Sequence, residues 1–263
     1  MRADVFLTVH GFAESRSRAK QLIGDGCVFR KGKAISKPSE ELQEDAVGEI
    51  TVSEQCPYVG RGGRKLEAAL EAFGIDVSGR FALDVGASTG GFTDCLLQRG
   101  AEHVCAVDAG EGQLAAKLRN DPRVCSLEHR NARDLTPEMI GGRVSLIVMD
   151  VSFISATYII PRFPELLTAN GDAVCLVKPQ FEVGREKIGK GGIVKDPRLH
   201  RFAVDRVLSS GREAGLHPVG LIPSPIEGGD GNREFLVRFR LSDDMTEVGS
   251  ELVTKVTEKE NRP

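Results

Sequence analysis

Two lysines and two acids stand at positions where they could handle a proton. Lys178 closes an apolar run, and Asp150 closes another. Lys65 begins a helical stretch, and Glu234 precedes a late apolar segment. A lysine amine gives up its proton more readily when it is desolvated or near another cation, so this set could deprotonate a weakly acidic hydroxyl. The alternative for Lys178 is a surface lysine or an ion-pair partner.

A glycine-rich segment could hold the ligand on which such a site would act. Residues 83–92 read Leu-Asp-Val-Gly-Ala-Ser-Thr-Gly-Gly-Phe, which predicts a strand, a tight turn and a helix. Bare backbone beside a helix N-terminus favours a carboxylate or phosphate ligand. The segment lacks the dinucleotide pattern G-x-G-x-x-G, and it resembles motif I of S-adenosylmethionine-dependent methyltransferases. An ordinary strand-to-helix turn is the alternative.

Two further strand ends carry polar groups for the same ligand. Asp108 follows the second strand, where an acid commonly accepts hydrogen bonds from a ribose hydroxyl pair, although helix capping is an equal alternative. Asn131 follows the third strand, where the resemblance implies contacts near an adenine. The cofactor-binding candidates are Asp84, Gly86, Ser88, Gly90, Gly91, Phe92, Asp108 and Asn131.

Alternating apolar and amphipathic stretches place these residues along one sheet edge. Strands are expected at 81–85, 103–107, 124–127, 144–149 and 172–177, with a terminal antiparallel hairpin at 216–222 and 235–240. The pattern predicts an α/β fold with a doubly wound parallel sheet, whose ligand crevice lies beyond the strands' carboxyl ends. We predict a catalytic domain over 65–242, a linker over 54–64 and a polar, frayed tail over 243–263.

Residues 1–53 form a small α+β unit with two short helices and a hairpin. Residues 1–37 carry eight lysines and arginines against three acids, in a chain of formal net charge −3. Such an excess indicates a polyanion-binding module, or else solvated helix faces. Over 2–7, 13–23 and 26–33 the unit resembles the α-L RNA-binding fold of a small-subunit ribosomal protein, pseudouridine synthases and tyrosyl-tRNA synthetases. The RNA-binding candidates are Arg2, Arg16, Arg18, Lys20, Arg30, Lys33 and, from the linker, Arg64.

Two other segments have open roles. Tyr58 in the linker can stack on a base or pack on its own domain. The loop 182–195 contains four glycines and four basic residues. It can clamp an RNA backbone or be a surface loop without that role.

The composition argues against several classes of protein. No apolar run approaches the roughly 18–20 residues that span a bilayer. The N-terminus carries no apolar signal region, so we expect a cytoplasmic protein without a membrane partner. Six cysteines show no paired C-x-x-C spacing, which favours buried thiols over disulfides or a metal site.

Over residues 1–240 the chain resembles the TlyA family, whose members carry both haemolysin and rRNA 2′-O-methyltransferase names. Its large domain is similar to the wider FtsJ/RrmJ-like group. The family's Lys-Asp-Lys-Glu catalytic set falls on Lys65, Asp150, Lys178 and Glu234. The resemblance implies a Rossmann-like class I methyltransferase sheet and S-adenosylmethionine as cofactor. It implies ribosomal RNA or ribosomal subunits as partner, with methylation of a cytidine 2′-hydroxyl. The rival hypotheses are a haemolysin-like membrane-active protein and a non-catalytic RNA-binding protein.

Overall fold

The computed structural model describes residues 1–24, 26–35, 37–53, 57–228, 231–242 and 245–258. Residues 54–56 of the predicted linker lie outside the described residues. So do residues 243–244 and 259–263 of the predicted tail.

The N-terminal unit packs two helices against a small antiparallel sheet. Its helices are α1 (Ala3–Val9) and α2 (Arg16–Gly24), and its strands are β1 (Val28–Arg30), β2 (Lys33–Ala34) and β3 (Ile50–Val52), in the order β2-β1-β3. Ser15 begins α2, since its Oγ accepts a hydrogen bond from the Arg18 amide at 3.1 Å. Phe6, Leu7 and Ile23 are fully buried between the helices and the sheet. This core gives the basic unit a fold of its own.

The large domain is built on a seven-stranded sheet in the order β6-β5-β4-β7-β8-β10-β9. Its strands are β4 (Phe81–Val85), β5 (His103–Val107), β6 (Val124–Leu127), β7 (Val144–Met149), β8 (Leu167–Val177), β9 (His217–Pro223) and β10 (Phe235–Arg240). The first five are parallel, whereas β10 pairs antiparallel with β8 and with β9. The predicted doubly wound sheet with a terminal hairpin is confirmed.

Helices cover both faces of this sheet, which explains why its central strands are mostly apolar on both faces. The helices are α3 (Gly62–Phe73), α4 (Gly91–Gln98), α5 (Ala116–Arg119), α6 (Pro137–Ile140), α7 (Phe163–Leu166), α8 (Pro179–Glu182), α9 (Pro197–Glu213) and α10 (Ser250–Thr257). Successive residues of a strand point to opposite faces, so Leu83 joins one buried cluster and Ala82 joins the other. Both faces are therefore closed, and the strands' carboxyl ends remain available for a site.

Two predicted boundaries differ from the structure. Helix α3 begins at Gly62, so the last residues of the predicted linker are helical and Lys65 lies inside the helix rather than at its start. The tail predicted as frayed contains α10, whose Val253 and Val256 are buried. α10 packs on α9 and β9. Burial of that apolar face offsets the ordering cost of an otherwise polar segment.

The described cysteines Cys27, Cys95, Cys105, Cys125 and Cys175 form no disulfide bond. Burial raises the pKa of the Cys95 thiol to about 12, which makes it a weak nucleophile at neutral pH. Among the described residues, every helix is too short or too polar to cross a bilayer.

Candidate active site

Lys178 is fixed between the carboxyl ends of two neighbouring strands. It follows β8, Asp150 follows β7, and these strands are parallel partners. Lys178 Nζ lies 2.6 Å from Asp150 Oδ1 and donates a hydrogen bond to Ser152 Oγ at 2.8 Å. The Lys178 side chain is only 11% exposed. A solvated surface lysine is therefore excluded. Lys178 is an ion-pair partner, and it also forms part of a cavity wall.

Lys65 and Glu234 form a second ion pair, and this one is almost completely buried. Lys65 lies in α3, and Glu234 lies directly before β10, beside β8 in the sheet. Lys65 Nζ lies 2.5 Å from Glu234 Oε2, and their side chains are 6% and 2% exposed. Two charges removed from water are tolerated only with such close pairing. The ion pair holds α3 against the sheet at the beginning of β10.

Both ion pairs line one cavity of about 450 Å³. The structure thus brings the four predicted catalytic residues together, although they lie far apart in the sequence. The other residues that shape the cavity include Arg61, Ser152, Phe153, Gln180, Phe181 and Ile188. A cavity with two amines and two carboxylates can orient a hydroxyl group. It can also accept the proton of that group or stabilise the negative charge that develops on its oxygen.

A larger cavity of about 740 Å³ adjoins the first, and Asp150, Ser152 and Phe153 line both. Gly86, Ser88, Asp108 and Asn131 also line the larger cavity. Gly86 has a φ of +83°, and a Cβ there would lie 2.5 Å from the Asp150 carbonyl oxygen. Only glycine fits this close passage between β4 and β7.

The Asp108 carboxylate organises the wall of the larger cavity. One oxygen accepts a hydrogen bond from the Ser88 amide at 2.8 Å, and the other accepts one from the Gly110 amide at 2.7 Å. Ser88 has a φ of +47°, a backbone conformation that serine rarely adopts. The hydrogen bond from its amide to Asp108 stabilises this turn. A carboxylate oxygen has a second lone pair, so both oxygens can still accept from a ligand.

Asn131 serves both as a cap and as a lining residue. Its Oδ1 accepts hydrogen bonds from the Arg133 amide at 3.1 Å and from Arg133 Nε at 3.2 Å. The cap fixes the short helical turn over Ala132–Asp134. The side-chain amide group of Asn131 stays available to the cavity.

Four of the predicted cofactor-binding residues are buried behind the lining of the larger cavity, and their contact with a cofactor stays a prediction. Asp84 is fully buried and accepts a hydrogen bond from Thr93 Oγ1 at 2.6 Å. Burial raises the pKa of Asp84 to about 7. Gly90, Gly91 and Phe92 are also buried, and a Cβ on Gly91 would lie 3.0 Å from the Gly63 amide nitrogen. These residues form the turn and the contact between α3 and α4. The two helices approach each other so closely that the residues between them must be small or tightly packed.

Phe153 is a functional candidate that the sequence analysis missed. Its ring is 93% exposed at the junction of both cavities, and its backbone has a φ of +65°. The ring centroid lies 5.4 Å from that of Phe181. A bulky residue with positive φ persists only where its surroundings hold it there. The sequence carries no signal of this conformation, because an isolated phenylalanine after a strand usually packs inward.

Glu182 is a second missed residue. It is 2% exposed and accepts hydrogen bonds from Ser155 Oγ at 2.5 Å and from the Ala156 amide at 2.8 Å. Burial raises the pKa of this carboxyl group. Its contacts join the loop after β7 to the segment after β8.

The loop 182–195 is anchored on its own domain. Lys187 Nζ lies 4.7 Å from the centroid of the Phe202 ring on α9. The Val194 amide donates to Asn232 Oδ1 at 2.9 Å, and Asn232 Nδ2 donates to the Gly192 carbonyl at 2.9 Å. The second bond places the loop beside the segment that carries Glu234. A role of the loop as an RNA clamp stays a prediction.

Tyr58 packs on its own domain, as one of the two alternatives predicted. It is 6% exposed, and its hydroxyl donates to Glu67 Oε1 at 2.8 Å. The next residue, Val59, donates its amide to Asp94 Oδ2 at 2.8 Å. The described residues before α3, 57–61, therefore pack against α3 and α4.

The predicted RNA-binding residues fall into two groups. Arg2 and Arg16 pair with buried Asp4, and their hydrogen bonds hold the pKa of that carboxyl group well below its usual range. Arg30 pairs with Glu49, and Arg64 lies 4.9 Å from the centroid of the Phe29 ring, which joins the two domains. The group that remains exposed and has no carboxylate partner in the described part of the chain is Arg18, Lys20 and Lys33.

Comparison with known proteins agrees with this architecture. The model of FtsJ-like methyltransferases matches residues 58–241, and the model of the S4 domain matches residues 1–47. The 16S/23S rRNA (cytidine-2′-O)-methyltransferase TlyA of Mycobacterium tuberculosis is 48% identical over 243 residues, with 92% of this chain and 91% of that protein covered. Hemolysin A of Brachyspira hyodysenteriae is 43% identical over 240 residues, with 91% and 99% covered.

One solved structure matches nearly the whole chain, and a more distant one matches the fold of part of it. A hemolysin-named protein from Streptococcus thermophilus superposes with a TM-score of 0.75 and 40% identity, covering 98% of this chain and 94% of that one. An S-adenosylmethionine-dependent methyltransferase from Listeria monocytogenes shares the fold alone, with a TM-score of 0.52 and 16% identity over 69% of this chain and 99% of that chain. The resemblance inferred from the sequence is confirmed. The chain belongs to the TlyA family, in which an S4 domain precedes an FtsJ-like methyltransferase domain.

Proposed function

We propose that this protein transfers a methyl group from S-adenosylmethionine to a ribose 2′-hydroxyl, that of a cytidine, in ribosomal RNA. The observation that carries the proposal is the pair of adjoining cavities. One is lined by two lysine–carboxylate pairs, the other suits a nucleoside, and Asp150 lines both. The name of the Mycobacterium tuberculosis relative, an rRNA (cytidine-2′-O)-methyltransferase, supports the choice of ribosomal RNA and of cytidine. A cytoplasmic location belongs to the same proposal, since ribosomal subunits are there.

The residues of the larger cavity fit S-adenosylmethionine. Asp108 can accept hydrogen bonds from a ribose diol through its remaining lone pairs, and the bare backbone at Gly86 permits close approach of the amino-acid end. The side chains of Ile154 and Ile159 supply an apolar surface for a purine. The bound cofactor supplies an electrophilic methyl group.

The protein's own part is to place and activate the ribose hydroxyl. Lys178 Nζ, held by Asp150 and Ser152, can position the hydroxyl oxygen and either take its proton or stabilise the developing alkoxide. Lys65, paired with Glu234, adds a second positive charge to the same cavity. In-line placement of two reactants contributes about 7–11 kcal/mol in favourable cases, so positioning is a large share of the work.

The exposed Phe153 ring gives the target nucleotide a place to stack. A ribose hydroxyl inside folded RNA reaches a recessed site only when its nucleotide leaves the stack. An aromatic face contributes about 1–3 kcal/mol per stacked base. The ring therefore suits a displaced base whose ribose enters the smaller cavity.

The Asp108→Ala variant is expected to bind S-adenosylmethionine at least about tenfold more weakly, since hydrogen bonds to a charged group contribute about 1.5–3 kcal/mol. The loss combines missing ligand contacts with a loosened Ser88 turn. Isothermal calorimetry measures it. Glu102→Ala is the matched control, because this exposed acid lies at the opposite end of the same strand. An unchanged dissociation constant for Asp108→Ala contradicts the assignment.

Exchanging Arg18 and Lys20 for glutamate is expected to weaken rRNA binding without changing affinity for the cofactor. Both are exposed and unpaired among the described residues, whereas reversing Arg16 would also break its Asp4 contact. Each lost phosphate contact should reduce the slope of log affinity against log salt by about 0.7–0.9. Filter binding at several salt concentrations measures this. The control is Lys255→Glu on α10, and equal slopes for the variant and wild type would refute an RNA role for this surface.

The overall proposal is tested by transfer of tritiated methyl groups to separated ribosomal subunits, followed by mapping of the modified nucleotide. A single labelled 2′-O-methylcytidine is the expected result. Cofactor binding without any labelled product favours the rival of a non-catalytic RNA-binding protein. Leakage of liposomes caused by purified monodisperse protein that yields no labelled RNA favours the membrane-active rival.

A further inference from the structure

Glu182 is a buried acid that the proposed chemistry does not use. Its two carboxylate oxygens have different partners: one accepts from the Ser155 hydroxyl at 2.5 Å, and the other accepts from the Ala156 amide at 2.8 Å. Arg206 donates to the Glu182 backbone carbonyl at 2.7 Å, and its Nε lies 4.0 Å from the carboxylate. A carboxylate so enclosed costs desolvation, which argues for a specific task.

The contacts of Glu182 are one of two links between the same pair of segments. The Phe153 loop, residues 150–156, follows β7, and the Lys178 segment, residues 178–182, follows β8. Lys178 binds the beginning of the loop through Asp150 and Ser152, and Glu182 binds its end. In the loop, Phe153 lies between the two points of contact. In the Lys178 segment, Phe181 lies between the same two contacts. The two rings meet there, with centroids 5.4 Å apart.

We propose that Glu182 is a positioning residue that holds the Phe153 loop against the Lys178 segment, so that the stacking ring and the reactive amine keep a fixed separation. The inference rests on the proposed function, because that function supplies the substrate base on which the Phe153 ring stacks. Glu182 itself touches neither the substrate nor the cofactor. Its action is transmitted through the loop backbone.

The chemistry of the link explains why a carboxylate stands here. Both partners of Glu182 are donors, and an ionised carboxylate is the side chain that accepts from two donors at once. Glutamine keeps the shape but not the charge: its amide N–H₂ can still donate to the Ser155 hydroxyl, so charge-assisted hydrogen bonds are replaced by neutral ones about half as strong. With this link weakened, the positive φ of Phe153 is no longer enforced, and the loop relaxes to a commoner conformation.

The experiment is a double-mutant cycle between Glu182 and Phe153. Single-turnover methyl transfer to ribosomal subunits is measured at saturating cofactor for wild type, Glu182→Gln, Phe153→Ala and the double variant. We expect Glu182→Gln to slow transfer by up to about 10²-fold, the cost of misplacing reacting groups. In the Phe153→Ala background the same change should alter the rate by less than about twofold. The control Glu251→Gln, an exposed acid on α10, should leave the rate unchanged.

Two results overturn the proposal: a full rate for Glu182→Gln, or an equal fold-loss with and without the Phe153 ring. Equal losses would mean that Glu182 acts independently of the ring. If Glu182→Gln does not fold, Ser155→Ala removes the same link from its other side and replaces it in the cycle. Methyl transfer by the wild-type protein in the same assay tests the proposed function separately. A failure of the proposed function is therefore distinguished from a failure of the role proposed for Glu182.

Discussion

Replacing Lys178 with alanine is expected to lower methyl transfer by at least about 10²–10⁴-fold, the typical contribution of an acid–base group. Its amine lies in the cavity wall, bound to Asp150 and Ser152. It does not line the larger cavity. Affinity for S-adenosylmethionine should therefore stay near the wild-type value. Single-turnover rates on saturating RNA and calorimetry of cofactor binding measure the two effects independently.

The arginine variant decides between the two roles open to Lys178. We expect Lys178→Arg to remain inactive, because a guanidinium cannot release a proton near neutral pH. Near-normal transfer by Lys178→Arg would exclude a general base and leave electrostatic positioning as the role. Lys255→Ala is the control, since Lys255 is exposed on α10 and lines neither cavity.

Truncating Glu234 to alanine is expected to lower the free energy of unfolding by about 3–5 kcal/mol, the usual cost of breaking a buried ion pair. The cost arises because the ammonium group of Lys65, which is 6% exposed, loses its carboxylate partner. Urea unfolding followed by circular dichroism measures it. Asp205→Ala is the matched control, because it removes an exposed ion pair with Arg201 and should change stability by less than about 1 kcal/mol.

A double variant separates the stability of this pair from its part in the reaction. Replacing Lys65 by methionine and Glu234 by leucine together removes both charges, and such exchanges are often neutral or stabilising. We expect stability to return to at least the wild-type value while methyl transfer stays lost. A double variant that regains activity would show that the pair serves the fold alone.

The sheet was predictable because its signal is local. Strands such as 81–85 and 103–107 are buried on both faces, so they are mostly apolar and break sharply at polar residues. The strand count alone then places Asp150 and Lys178 on one edge. The pairing of Lys65 with Glu234 came from the family resemblance, since no local pattern joins residues 169 positions apart.

What the sequence could not predict depends on contacts across the fold. Asp84 and Gly91 belong to the glycine-rich motif, but the backbone path turns them away from the cavity and toward α3 and α4. The Phe153 ring is exposed because links on either side fix its loop. Helix α10 did leave a signal in Val253 and Val256, three residues apart. Its polar surroundings hid that signal until α9 supplied the apolar partner surface.

The wall that the two cavities share has a consequence for inhibitor design. Spaces of about 740 and 450 Å³ share the lining residues Asp150, Ser152 and Phe153. One compound can therefore carry a nucleoside for the larger space and, on a short tether, an aromatic ring for Phe153. Joining the two parts makes the second contact intramolecular, so its affinity gain comes from effective concentration. A ligand built this way would discriminate against methyltransferases that share only the nucleoside cavity.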